Sequence, residues 1–247
     1  MVADEETLLS NLLSNEEKTI KEINNTIGPI IYPINKINGF IIDKVPKDIL
    51  DKLQTYLDTL NLEFPNSLPS NHYSLAGNLQ NQYSLPIDLS LEDYIYWLCD
   101  IYNQKFPKFL ESVYYSNAIE TEQKLKPYLY SLWVNFMKKY EFNPPHTHSG
   151  KFSFVIWYKV PYKIEDEIRK GPSKRLDHTN LAGTFQFSYP QFSEEGIGFT
   201  NIRADCKYDG KICLFPSYLH HSVYPFFTSD DYRISISGNI KYKNNEI

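Results

Sequence analysis

The chain has 247 residues, enough for one large domain, and its 42% hydrophobic and 22% charged content excludes disordered and collagen-like classes. A net charge of −5, with no basic run longer than Lys138-Lys139, excludes a whole-surface electrostatic footprint for nucleic acid. Of the 25 basic residues only four are arginines (Arg169, Arg175, Arg203, Arg233), and four of the six histidines fall in two tight pairs.

The first half reads as mostly helical. Leu8, Leu9, Leu12, Leu13, Ile20, Ile23 and Ile27 recur at three-to-four spacing and predict an amphipathic helix ending near Gly28-Pro29. Pro29, Pro33 and the apolar run Gly39–Asp43 predict an extended entry segment. Pro46 then opens a helix whose buried stripe is Ile49, Leu50, Leu53, Leu57 and Leu60. A loop rich in Asn, Ser and Pro covers 61–72, and 90–115 is helical with an interruption at Pro107.

From about residue 129 the period changes to two. Tyr130–Met137, Phe152–Val160, Gly183–Tyr189, Lys211–Phe215, His221–Phe226 and Arg233–Tyr242 are short β-branched and aromatic runs separated by turn residues, which predicts an antiparallel sandwich or barrel. The charged interval 165–180 reads as a surface loop beside the sheet mouth. One domain over 1–247 is expected, with 1–128 as helical support and 129–247 as a mainly β, jelly-roll core. The odd set of cysteines (Cys99, Cys206, Cys213) forms no CxxC, which fits a reducing compartment. The acidic start and the absence of any run of about 18 apolar residues lead us to expect a cytoplasmic protein without a membrane segment.

The chemistry concentrates in three places. Asn143-Pro-Pro-His-Thr-His-Ser-Gly150 sets His146 and His148 two apart at a strand entrance, so both rings can project to one side and share a metal; two solvated loop histidines are the plainer alternative. His220 and His221 lie at a turn between two later strands. Adjacent strand residues face opposite ways, so one of the two can join the first pair across a barrel mouth. In the third, Arg233-Ile-Ser-Ile-Ser-Gly-Asn239, alternation puts Arg233, Ser235, Ser237 and Asn239 on one face. Such an arginine can clamp a carboxylate, with Ser235 beside it, unless it pairs with Asp230 or Asp231 on the surface.

Together these segments resemble the iron(II)/2-oxoglutarate-dependent oxygenases, especially a compact phage and viral group. The resemblance rests on HxH, on Phe215-Pro-Ser-Tyr-Leu-His-His-Ser-Val-Tyr-Pro225, and on Arg233-Ile-Ser-Ile-Ser-Gly-Asn239. It spans about 128–242 and, more loosely, Leu75–Tyr83. It implies a double-stranded β-helix, iron(II) held by His146, His148 and His221, and 2-oxoglutarate bound through Arg233 and Ser235. Asn135, Ser153 and Asn239 would line the co-substrate pocket. It further implies a dioxygenase that consumes O₂ and 2-oxoglutarate, releases succinate and CO₂, and hydroxylates a second substrate.

The wider family commonly has a carboxylate where this chain has His148, which leaves an all-histidine triad or a carboxylate from elsewhere, such as Asp177. Three histidines also suit a zinc-dependent cupin-like hydrolase or isomerase, and a non-catalytic jelly-roll binding module stays open too. For the second substrate, a protein side chain or small molecule is favoured over a nucleobase by the acidic balance. The sequence leaves its identity and the oligomeric state open.

Overall fold

The computed structural model describes residues 5–25, 28–36, 38–60, 78–79, 81–109, 111, 125–172, 180–191 and 196–244. In chain order these form helix α1 (Glu5–Asn25), strands β1 (Ile30–Pro33) and β2 (Gly39–Lys44), helix α2 (Lys47–Asp58), β3 (Asn81–Ser84) and helix α3 (Leu89–Lys105). The second half contributes β4 (Leu125–Met137), β5 (Asn143–His146), β6 (Phe152–Lys159), helix α4 (Ile164–Lys170), β7 (Phe185–Pro190), β8 (Ile197–Ile202), β9 (Lys211–Pro216), β10 (His220–Val223) and β11 (Arg233–Asn244).

The strands build two antiparallel sheets, seven-stranded in the order β1-β2-β9-β6-β11-β4-β3 and four-stranded in the order β5-β10-β7-β8. This is a double-stranded β-helix with helices packed on the large sheet. The large sheet is covered on both faces, so its inner strands bury residues on both sides, as in β6, where Phe152 to Trp157 are all buried and all but Ser153 apolar. Alternate residues serve two cores. Phe154, Ile156, Ile212, Leu214 and Ile236 meet α2 and α3 through Leu53, Ile95 and Tyr102, whereas Val155, Trp157, Cys213 and Phe215 meet Phe185 and Phe187 of the small sheet.

The helix starts follow their local chemistry. Pro46 precedes α2, and the Asp88 carboxylate accepts from Ser90 N at 2.9 Å to cap α3, a contact worth about 1 kcal/mol. The expected loop 61–72 lies outside the described residues.

Two expectations need correction. The first 128 residues are not only helical support, because β1, β2 and β3 complete the large sheet. β1 and β2 form a local hairpin within the expected extended segment, but that hairpin joins the sheet through β9, and β3 through β4, partners far away in sequence that no local period announces. The interval 165–180 begins with helix α4 rather than a loop. Its charges are the reason: Glu165–Arg169 (3.1 Å) and Asp166–Lys170 (2.7 Å) are i,i+4 pairs with acid at the N-terminal and base at the C-terminal end, matching the helix dipole. Strands β5 and β8 are also additions. β5 contains two prolines, tolerated because it is an edge strand. No helix among the described residues is long and apolar enough to cross a membrane.

Helix α4 also anchors the turn that feeds β11. Glu167 is fully buried, and its carboxylate accepts from Phe227 N (2.8 Å), Thr228 N (2.9 Å) and the Thr228 hydroxyl. Glu167→Ala would strand these donors in the interior and is expected to cost about 3 kcal/mol. In urea unfolding this appears as a midpoint lower by about 1 M.

Candidate metal centre

The mouth between the sheets is built by β5, the turn after it, and β10. His146 and His221 are cross-strand register partners, so their side chains meet on one face. His148 is brought over them by Ser217, which is 1% exposed and bonds the intervening turn three ways. His148 N donates to Ser217 O (2.9 Å), Ser217 N donates to Lys151 O (3.0 Å), and Ser217 Oγ donates to Gly150 O (2.7 Å). Gly150 has φ +105°, and a Cβ there would lie 2.6 Å from Ile240 O, so the turn admits only glycine without strain.

The three rings converge, with centroids 4.3 Å (His146–His221), 4.9 Å (His146–His148) and 5.0 Å (His148–His221) apart. Their nearest ligand atoms all lie within 4.8 Å of one another, close enough for one ion to bridge. His220 is exposed on the opposite face, as alternation requires. Among the described residues the cluster contains no carboxylate, and Asp177 lies outside them.

The surroundings prepare the rings as ligands. His146 Nδ1 sits 2.7 Å from Pro144 O and His221 Nδ1 2.9 Å from Leu219 O. A carbonyl only accepts, so each Nδ1 carries the proton and each Nε2 keeps its lone pair. Aromatic neighbours hold the rings: Phe185 stacks on His221, Phe215 meets it edge-on, and Trp133 lies against His148. Burial lowers the pKa of all three, with the His146 neighbour adding to the effect on the other two; His148 is brought down to about 4 and His221 well below the usual 6.5. The imidazoles are therefore neutral near pH 7, the form that binds metal.

A cavity of about 630 Å³, open to solvent, runs from this cluster into the fold. Arg233 stands in its wall with Ser235 and Ser237, as the alternation of β11 predicts. Arg233 is 2% exposed and its Nη1 has no hydrogen-bond partner. Asp230 and Asp231 do not neutralise it; they pair with Lys139 (2.5 Å) and Lys159 (3.7 Å). Asn135 lines the same cavity, and its Oδ1 accepts from Gln82 Nε2 at 2.8 Å, which leaves the Asn135 amide N–H groups for other acceptors.

Gln82, buried on β3, was not anticipated from the sequence beyond a loose likeness over Leu75–Tyr83. Ser153 and Asn239, expected at the pocket, do not line it. They are register partners one inward-facing pair beyond Ser237, about 7 Å along the strand. There Ser153 Oγ donates to Asn239 Oδ1 (2.7 Å) and Asn239 Nδ2 donates to Ser131 Oγ (3.1 Å).

A double-stranded β-helix with a metal-ligand cluster at its mouth and a buried arginine in the cavity behind it has the architecture of the non-haem iron oxygenases. Residues 131–239, from within β4 to within β11, match the family described as "Putative 2OG-Fe(II) oxygenase". The family uses iron(II), 2-oxoglutarate and O₂, and the three-histidine cluster fits iron.

None of the curated proteins compared with the chain matches it. Among solved structures, a Pseudomonas putida prolyl-4-hydroxylase aligns at 10% identity over 92% of this chain and 98% of its own, with a TM-score of 0.46. A Trichoplax adhaerens prolyl hydroxylase aligns at 13% identity over 94% and 91%, TM-score 0.43. An oxidoreductase of the 2OG-Fe(II) oxygenase family from Burkholderia pseudomallei gives 12% identity over 92% and 89%, TM-score 0.41.

His221→Ala is expected to weaken iron(II) binding by more than about 100-fold, and His220→Ala to leave it unchanged. Competition with a chromogenic iron chelator measures both, with circular dichroism verifying the fold.

Proposed function

We propose that the protein couples oxidative decarboxylation of 2-oxoglutarate, to succinate and CO₂, to hydroxylation of a second substrate. In this reading His146, His148 and His221 hold iron(II). Arg233 and Ser235 take the far carboxylate of 2-oxoglutarate, and Asn135, oriented by Gln82, donates to the same molecule. The observation that carries the reading is the buried Arg233 with its unpartnered Nη1 in the wall of the cavity behind the three rings. A zinc hydrolase has no use for that group, which would be an uncompensated buried charge.

The bound metal and co-substrate supply the oxidising chemistry. The chain's own part is positioning. Arg233 fixes the co-substrate at its far end by charge-assisted hydrogen bonds, Ser235 offers a hydroxyl next to it, and the Pro144 and Leu219 carbonyls hold His146 and His221 with Nε2 inward. Phe185, Phe215 and Val155 keep the cavity wall apolar and limit water around the reacting atoms. The second substrate is a protein side chain or small molecule rather than nucleic acid, in keeping with the net charge of −5. All the metal- and arginine-site residues fall within 129–247, which we read as the catalytic core. Among the described residues, Leu79 and Gln82 are the contribution of 1–128 to the cavity.

Arg233→Gln is expected to raise KM for 2-oxoglutarate by about 100-fold, as removal of one partner of a buried charged pair does. Succinate and ¹⁴CO₂ release from labelled 2-oxoglutarate measures this. An unchanged KM, or no 2-oxoglutarate consumption by the wild-type iron protein, would overturn the proposal.

A further inference from the structure

One polar side chain in the cavity serves neither the arginine end nor, directly, the metal. Asn143, at the start of β5, lines the cavity beside His146. Its amide orientation follows from its neighbour. Because His146 Nδ1 donates to Pro144 O, His146 Nε2 presents a lone pair, and the Asn143 atom 3.4 Å from it must be the donor, Nδ2. That leaves Oδ1 as the other end, and Oδ1 is buried without a hydrogen-bond partner. A cation on His146 Nε2 would occupy the lone pair that Nδ2 now faces. In the loaded site both ends of the amide then need partners.

We propose that Asn143 is a specificity-determining residue that reads a primary amide of the second substrate, its Oδ1 accepting a substrate N–H and its Nδ2 donating to the substrate C=O. This rests on the oxygenase reading above. A primary amide has one N–H syn to its C=O, the same acceptor and donor edge as the asparagine's own, so the two can pair side by side. The edge of adenine offers a similar pair. Among the described residues the cavity lining has no lysine and no arginine but Arg233, which together with the acidic net charge favours the amide over a nucleotide. The neighbouring walls, Leu79, Phe185 and Val223, are apolar and suit an aliphatic chain attached to that amide, whether in a free small molecule or in a peptide.

The test uses the iron-loaded protein with 2-oxoglutarate under anaerobic conditions and follows binding of isovaleramide by ligand-observed NMR. N,N-dimethylisovaleramide and methyl isovalerate, which lack the N–H, serve as controls. Wild type is expected to bind the primary amide about 10-fold more tightly than either control. In Asn143→Ala that preference disappears while iron and 2-oxoglutarate still bind, because the Pro144 carbonyl continues to hold His146.

Equal binding of the three compounds by wild type, or a preference kept by Asn143→Ala, would overturn the inference. Adenosine binding that exceeds the amide and depends on Asn143 would overturn it in favour of a nucleobase. A capped tripeptide with a central glutamine binding better than the amide would support a peptide source, and equal binding a small-molecule source. Failure of wild type to bind 2-oxoglutarate, read in the same samples before any amide is added, would overturn the oxygenase reading itself and this inference with it.

Discussion

Burying an arginine without a counter-charge is among the costlier things a fold can do, since the desolvation penalty stays uncompensated at several kcal/mol. Arg233 is in that condition, and the surrounding architecture maintains it. The two nearby aspartates are drawn off by Lys139 and Lys159, and no carboxylate lines the cavity among the described residues. Arg233 heads β11 in register with Met137 of β4, and β11 then runs between β4 and β6, which fixes the backbone from which the buried guanidinium projects. The buried Glu167, which binds the turn before β11, secures the strand's entry. A charge held this firmly is preorganised for an anion that arrives from outside.

The small sheet holds its side of the site by a different means. Where β11 fixes a charge by burial, β5 and β10 fix lone pairs by hydrogen bonding, each strand turning one Nδ1–H onto a carbonyl two residues earlier in the chain. His148 comes from the turn and depends on Ser217, from the β9–β10 connection, to bring it over the other two. The ligand cluster is thus assembled from the two segments that the chain-order spacing keeps about 70 residues apart. Their convergence is a property of the register between β5 and β10 rather than of either segment alone.

That distinction explains what could be read in the sequence. The period of two in Arg233-Ile-Ser-Ile-Ser placed Arg233, Ser235 and Ser237 on one face, and the structure has all three in the cavity wall, because alternation is local and strict. The same rule put His220 and His221 on opposite faces. It could not say how far along the strand the cavity extends, so Ser153 and Asn239, on the correct face but one pair too far, were placed in it. Gln82 and the strands of the first half belong to the large sheet through partners remote in sequence, which no period reveals. Asn143 was visible only as the first letter of the HxH segment. Its place became legible once the proton on His146 could be located from Pro144.

The use of histidine at position 148 has an electrostatic consequence for the whole cavity. A carboxylate there would set a negative charge among the metal ligands, facing the same enclosed space as Arg233, and would partly offset the attraction of that space for an anion. Three imidazoles, kept neutral by burial, add no charge. Among the described residues the only formal charge in the cavity lining is then the guanidinium, available for the far carboxylate of a dicarboxylate ligand. A divalent cation at the rings would place the second positive centre at the other end. In the proposed reading the cavity is polarised for a dianion held between the arginine and the metal.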